Sequence, residues 1–291
     1  MKEACDVCIF GAGPAGAATA IRMADSGFAP LVFERPHREK PWGGESFSGA
    51  IRQPLMALGL WEVFGAAGHV ASYEQRLAWG GEPWTKGTIF NPLGNLWHVD
   101  RGRFDQDLRQ AVCARGVPLL DYRHLDELRW DGKEWRIRVD QGAAIGAHLV
   151  DATGRAGAVA RRLGARPVVH DRLVALASVI QRNPRQDLPH AMIIEATPHG
   201  WCYAAPVPQG HVVVFLTDSD LAPRDLARRM RTLSANSVFT ECETSRGWLA
   251  VGDACAAYDP LRGWLSRSGE RHSGGRFDHP LPADIQPLVN R

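Results

Sequence analysis

Asp6-Val7-Cys8-Ile9-Phe10-Gly11-Ala12-Gly13-Pro14-Ala15-Gly16 opens the chain, and Leu31-Val32-Phe33-Glu34 follows two elements later. An apolar run of strand length meets a glycine turn, then a helix poor in polar residues, then a second apolar run ending in an acid. Each glycine has its own task in such a unit. Gly11 permits the tight turn, Gly13 lets backbone N–H groups approach a pyrophosphate, and Gly16 lets the helix pack closely on the strand. Pro14 and Ala15 start the helix, whose positive end then faces the phosphates. Glu34 falls about 20 residues on, where an acid accepts ribose hydroxyls. The pattern reads as a dinucleotide site, with NAD and FAD served equally well. Arg35 leads into a basic loop (35–41) that either reaches the adenosine end or is simply solvated.

Outward from this unit, composition narrows the choices. The chain has 291 residues, 45% hydrophobic and 23% charged, enough for one large domain or two interleaved ones. A net charge of +2 argues against a nucleic-acid surface, which needs a clustered basic face. No apolar run approaches the ~20 residues of a membrane span. The first residues enter a strand without a leader pattern, so the expected location is cytoplasmic. Six cysteines do not make a disulfide scaffold in a chain of this size. Cys5 and Cys8 have CxxC spacing, but residues three apart on a strand are expected on opposite faces, as buried hydrophobes rather than metal ligands. The histidines show no metal-ligand spacing, and no metal is expected.

A second glycine turn, Gly43-Gly44-Glu45-Ser46, precedes a helical pattern at 51–60, which makes Glu45 and Ser46 a candidate second cofactor contact. Residues 61–97 are tryptophan-rich and fit strands or loops. Arg101 starts a helix running to about residue 115, with Phe104, Leu108, Ala111 and Val112 on its apolar face. A hairpin is expected around Asp131-Gly132. A short strand from 148 ends in the turn Asp151-Ala152-Thr153-Gly154-Arg155. From about Pro167 the pattern turns to β, with strands at 173–180, 191–196, 201–207 and 211–217, then a helix at 225–233. The run Gly247-Trp248-Leu249-Ala250-Val251-Gly252-Asp253-Ala254 is one more buried strand ending in Gly-Asp.

GAGPAG with Glu34, Arg101 at a helix start, DATGR (151–155) and VGDACAAYDP (251–260) together resemble the FAD-dependent aromatic hydroxylases of the p-hydroxybenzoate hydroxylase fold. The resemblance implies an α/β flavoprotein, in which a Rossmann-like FAD-binding domain is interleaved with a mostly antiparallel β-sheet substrate domain. It implies that Asp253, after Gly252, holds the flavin ribitol. Arg101 would steady the phosphate region, Gly154 would lie near the cofactor, and Pro260 would sit by the isoalloxazine. The expected FAD domain is 1–60, 98–168 and 246–261, and the substrate domain 61–97 and 169–245.

Gly43-Gly44-Glu45-Ser46, Gly200-Trp201-Cys202-Tyr203-Ala204-Ala205-Pro206 and Gly247 to Asp253 look like the tryptophan-halogenase-like branch. That branch also holds flavoprotein maturases that oxygenate tryptophan side chains in partner enzymes. Halogenases carry WxWxIP and a lysine that conveys hypohalous acid. Here Trp201-Cys202-Tyr203-Ala204-Ala205-Pro206 lacks the second Trp and the Ile, and the stretch 72–79 offers Arg76 and no lysine. A guanidinium stays protonated and is a poor substitute. Hydroxylation of an aromatic substrate, an indole or tryptophan free or in a partner protein, is therefore expected, through the flavin C4a-hydroperoxide that the resemblance implies. Halogenation, a geranylgeranyl-reductase-like reduction and a non-catalytic FAD-binding chain are the alternatives.

Trp201, Tyr203 and Pro206 either line the aromatic pocket or pack a sheet face. Glu45 and His211 are candidate catalytic groups. With one GxGxxG, the reductant is NAD(P)H docking transiently or reduced flavin from a separate reductase, and O2 is the co-substrate. After Leu261 the family's small-residue turn and apolar helix are replaced by Arg262-Gly263-Trp264 and a Pro-rich run. Residues 262–291 read as disordered, with a truncation or frame change near 261 as the expected cause.

Overall fold

The computed structural model describes residues 2–36, 45–88, 91–181, 190–241 and 247–260. The basic loop beyond Pro36, Gly43, Gly44, Leu261 and the 262–291 tail lie outside the described residues. Two compact units divide the chain. One takes Met1–Glu39, Arg103–His170 and Ser237–Tyr258, and the other Lys40–Gly102, Asp171–Asn236 and Asp259–Arg291.

In the first unit the strand Lys2–Phe10 lies inside a seven-stranded sheet. The order is Leu119–Asp121, Pro30–Glu34, Lys2–Phe10, Gly142–Asp151, Trp135–Val139 and Leu125–Trp130, with Trp248–Ala250 also paired to Gly142–Asp151. Pairings around Lys2–Phe10 are parallel, and the hairpin through Asp131-Gly132 is antiparallel. Parallel strands are covered on both faces, hence the unbroken apolar run Cys8-Ile9-Phe10, all fully buried. The crossover helix Pro14–Asp25 presents Gly16, Ala17, Ala20 and Ile21 to the sheet, small residues that allow close approach. Phe10 and Phe33 stack at 4.6 Å, with Tyr122 edge-on to both.

The second unit holds another seven-stranded sheet, ordered Arg231–Ser234, Leu173–Gln181, Gly210–Asp218, Gly200–Val207, Met192–Thr197, Glu74–Ala78 and Trp84–Gly87. All its pairings but one are antiparallel. Met192, Ile194, Trp201, Ala205, Val212, Val214 and Leu216 form a core on one face of it. A small sheet joins Glu45–Phe47, Leu96–Val99 and Val70–Ser72. The α/β architecture expected from the sequence is the one observed.

Local departures have physical causes. The strand expected from 148 begins at Gly142, because pairing on both sides enforces strand on a small-residue run that has little propensity of its own. Trp61–Ala66 is a helix, not strand or loop, with Trp61 stacked on Phe64 at 5.7 Å and both edge-on to Trp97. The helix expected at 225–233 stops at Arg229, since Arg231–Ser234 pairs with Leu173–Gln181. Cys5 and Cys8 do not point apart. Their sulfurs lie 3.2 Å from one another, turned into the gap left opposite Cys5 by Gly146, where a Cβ would sit 2.7 Å from Cys8 Sγ and 3.2 Å from Cys5 Sγ.

Candidate functional site

Three sequence motifs converge at the ends of the parallel strands of the first unit. Gly11 has φ +104°, and a Cβ on it would fall 2.3 Å from the Ala152 carbonyl oxygen. Gly16 is tighter still, its absent Cβ 1.8 Å from the Gly11 carbonyl oxygen. Gly13 differs: a Cβ there would meet nothing within 4 Å. So two glycines are required by the protein's own packing, and the middle one faces open space. The helix Pro14–Asp25 has Gly13 as its N-cap and no side chain capping it. Its first N–H donors are orphaned by geometry. The Glu34 carboxylate, 8% exposed, accepts the Ala12 N–H and is fixed at the strand end. Arg35 extends over the Tyr122 ring, 5.5 Å from its centroid, and burial raises the Tyr122 pKa.

The Gly-Asp turn comes to the same place. Gly252 has φ +59°, and a Cβ on it would lie 2.7 Å from the Ala15 Cβ. Asp253 is largely exposed, its carboxylate 3.8 Å from Arg155, and Arg155 also donates to the Tyr258 carbonyl. DATGR forms a hub. Asp151 is fully buried and accepts from the Thr153 N–H (2.9 Å), the Thr153 hydroxyl (2.6 Å) and the Ala160 N–H (2.7 Å). Thr153 Oγ1 in turn accepts the Ala158 N–H. These bonds hold the turn containing Gly154 rigid beside the glycine loop.

FAD fits this arrangement. An uncapped helix start, an open position at Gly13 and a fixed carboxylate at Glu34 match a pyrophosphate followed by a ribose.

In the second unit, Glu45 and Arg101 form an ion pair, both partly exposed. Ser46 Oγ lies within hydrogen-bond distance of His98 Nδ1 and of the Tyr203 hydroxyl. His98 is fully buried, and burial together with the nearby His211 lowers its pKa to about 4. Burial also raises the Tyr203 pKa, against the opposing pull of its bond to Ser46. Trp201 is 6% exposed and part of the sheet core. Pro206 and His211 face each other across neighbouring strands, and Pro260 is exposed. His98 carries no sequence signal beyond one polar residue inside the strand Leu-Trp-His-Val. Glu195 is a second addition, an acid in an apolar strand, 5% exposed, with its pKa raised to about 7 by burial.

No protein-family model matches the chain. LodB of Marinomonas mediterranea, described as an FAD-dependent oxidoreductase, is 27% identical over 89% of this chain and 80% of its own. The homologues of this chain are FAD-dependent oxidoreductases and halogenases, which are enzymes. Two solved structures carry the same fold. The myxobacterial chondrochloren halogenase CndH superposes with TM-score 0.76 at 22% identity, covering 89% of this chain and 70% of that one. QhpG, a peptidyl tryptophan dihydroxylase of tryptophylquinone cofactor biogenesis, gives TM-score 0.68 at 25% identity, with 88% and 62% covered. FAD is thus the cofactor of the chain's relatives. Among the described residues no helix is long and apolar enough to cross a membrane.

Proposed function

We propose that the chain is an FAD-dependent monooxygenase that hydroxylates an electron-rich aromatic substrate, an indole or tryptophan, free or within a partner protein. The observation that carries the choice over halogenation is Arg76. It stands in the strand Glu74–Ala78, where the resemblance calls for a lysine, and its guanidinium is held 2.7 Å from Glu74. The single lysine among the described residues of this unit, Lys86, is exposed on the strand Trp84–Gly87. A guanidinium is not a nucleophilic amine, and Lys86 stands on the neighbouring strand, off the position the resemblance calls for.

The division of labour is part of the proposal, with the cofactor on 1–60, 98–168 and 246–261 and the substrate on 61–97 and 169–245. Gly11, Gly13, Pro14, Ala15 and Gly16 would hold the pyrophosphate by backbone N–H groups, Glu34 the ribose, and Gly252 and Asp253 the ribitol. Bound FAD would supply the electrons that activate dioxygen. The residues around it bind, orient and exclude water. Arg101, paired with Glu45, would offer a cation to the phosphates, and Tyr203, packed against the core that holds Trp201, would offer its hydroxyl to the substrate. The reductant is NAD(P)H or reduced flavin from a separate reductase. A cytoplasmic location is part of the proposal, and none of the five described cysteines is in a disulfide.

To test this, FAD-loaded protein is given NADH, a flavin reductase, isotopically labelled dioxygen, chloride and bromide. Indole, tryptophan and a tryptophan peptide serve as substrates. Product carrying label from dioxygen supports the reading. A halogenated product refutes it.

A further inference from the structure

We propose that Tyr203 is the acid–base residue of the substrate site and that Ser46 and His98 form a proton relay behind it. This rests on the second unit taking the aromatic substrate. Ser46 and His98 are cross-strand partners on Glu45–Phe47 and Leu96–Val99, and Tyr203 arrives from the separate strand Gly200–Val207. Three side chains from three strands therefore meet at one serine oxygen.

A serine hydroxyl carries one proton, so it donates to one neighbour and accepts from the other. In one arrangement Tyr203 donates to Ser46 and Ser46 donates to a bare His98 Nδ1. In the other, Nδ1–H donates to Ser46, Ser46 donates to the Tyr203 oxygen, and the phenolic proton points away, toward a bound molecule. The second is reached from the first when a proton enters at the Tyr203 oxygen and one proton moves along each link to Nδ1, which leaves the ring cationic until a proton is returned. Burial keeps His98 neutral at ordinary pH before that transfer, so a ring nitrogen is free to accept.

The far side of the ring supports a use beyond packing. His98 Nε2 is buried without a hydrogen-bond partner among the described residues. Leaving a buried ring nitrogen unpaired is destabilising. An apolar side chain at position 98 would avoid that cost, so the polar cluster serves something other than stability. The charged or titratable neighbours are Glu45, which acts on Tyr203, and His211, which acts on His98.

Hydroxylation requires a proton acceptor, because the ring that gains oxygen must shed a proton from carbon or nitrogen. That proton bonds to the Tyr203 oxygen as the Tyr203 O–H proton passes to Ser46 and the Ser46 proton passes to His98 Nδ1. No electrons leave the chain. The imidazolium so formed is disfavoured by burial and returns its proton as product leaves. Tyr203 remains a neutral phenol throughout, as its raised pKa requires.

Tyr203→Phe, Ser46→Ala and Ser46→Thr test the relay. In Tyr203→Phe, kcat should fall about 100-fold, the scale of one lost acid–base group, while KM stays within about threefold, as expected when an interaction specific to the transition state is removed. Ser46→Ala should lose the solvent deuterium effect on turnover, and Ser46→Thr should restore it. A turnover-independent arm records the ¹⁵N-histidine spectrum of FAD-loaded protein, with the His98 signals assigned through His98→Asn. The Nδ1 signal should shift in Ser46→Ala. Wild-type kcat and pH profile in Tyr203→Phe overturn the proposal, as does a His98 spectrum indifferent to Ser46→Ala. A wild-type chain that makes no oxygenated product sinks the hydroxylase reading alone, and the spectrum then decides the relay by itself.

Discussion

Replacing Gly13 with alanine separates what the glycine loop does for the protein from what it does for the cofactor. Gly13 has φ −70° and ψ −177°, a conformation open to any residue, and its Cβ would meet nothing within 4 Å. The FAD-free protein should therefore tolerate the change. It should even gain up to about 1 kcal/mol through a less flexible unfolded chain, or about 2–4 °C in Tm at this size. The new methyl stands where the pyrophosphate must approach. Overpacking of that kind costs about 1–3 kcal/mol, which is about a 5- to 150-fold rise in the Kd for FAD. Gly16→Ala is the control. Its Cβ would lie 1.8 Å from a backbone oxygen, which cannot swing aside, so the variant should lose several degrees or fail to fold before any cofactor is added. The assays are thermal unfolding of FAD-free protein and a fluorescence titration with FAD. A Gly13→Ala variant that melts early, or that binds FAD like wild type, refutes the reasoning.

Other expectations follow the same physics. Asp151→Ala orphans three donors at the DATGR hub, so urea unfolding should show a loss on the order of 4 kcal/mol. Glu195 has its pKa raised from 4.5 to about 7 by burial, so its contribution is greatest below about pH 4.5 and is lost as pH rises to about 7. His98 has its pKa lowered from 6.5 to about 4, so its contribution runs the other way and is lost as pH falls through that window. The two oppose each other, and Glu195→Gln should expose a steeper loss of stability on acidification than wild type shows. Arg101→Ala breaks a partly exposed ion pair, worth less than about 1 kcal/mol. Tm should stay within about 3 °C while FAD binding weakens, and unchanged FAD affinity would remove Arg101 from the cofactor contacts.

The parallel sheet and its glycine loop could be read from the sequence because their determinants are local. A strand–turn–helix with fixed glycines states its own geometry, and the hairpin at Asp131-Gly132 does the same. Strands 173–180 and 201–207 were legible from unbroken apolar runs. What escaped was set by distant partners. The strand Gly142–Asp151 is imposed on a small-residue stretch by its two neighbours, and Arg231–Ser234 is drawn out of a helical pattern by pairing. The Cys5–Cys8 contact depends on a glycine on another strand. At the candidate site, Glu34 and Gly252 were legible because the motif names them. His98 was not, since a single histidine in a strand says nothing until Ser46 and Tyr203 close around it.

Among the described residues no side chain caps the start of the helix Pro14–Asp25. Most helices end this debt locally with a serine or aspartate, whereas this one has no such cap, and under the proposed function its donors meet the pyrophosphate. Folding and flavin supply are thereby linked by mass action, since every molecule of FAD bound to the native state alone withdraws chain from the unfolded pool. When flavin is scarce, the same sequence should spend more time open to proteases, and its abundance should fall before its activity is ever measured. Under the proposed function, the level of this protein in a cell would then follow the supply of FAD through the first turn of one helix.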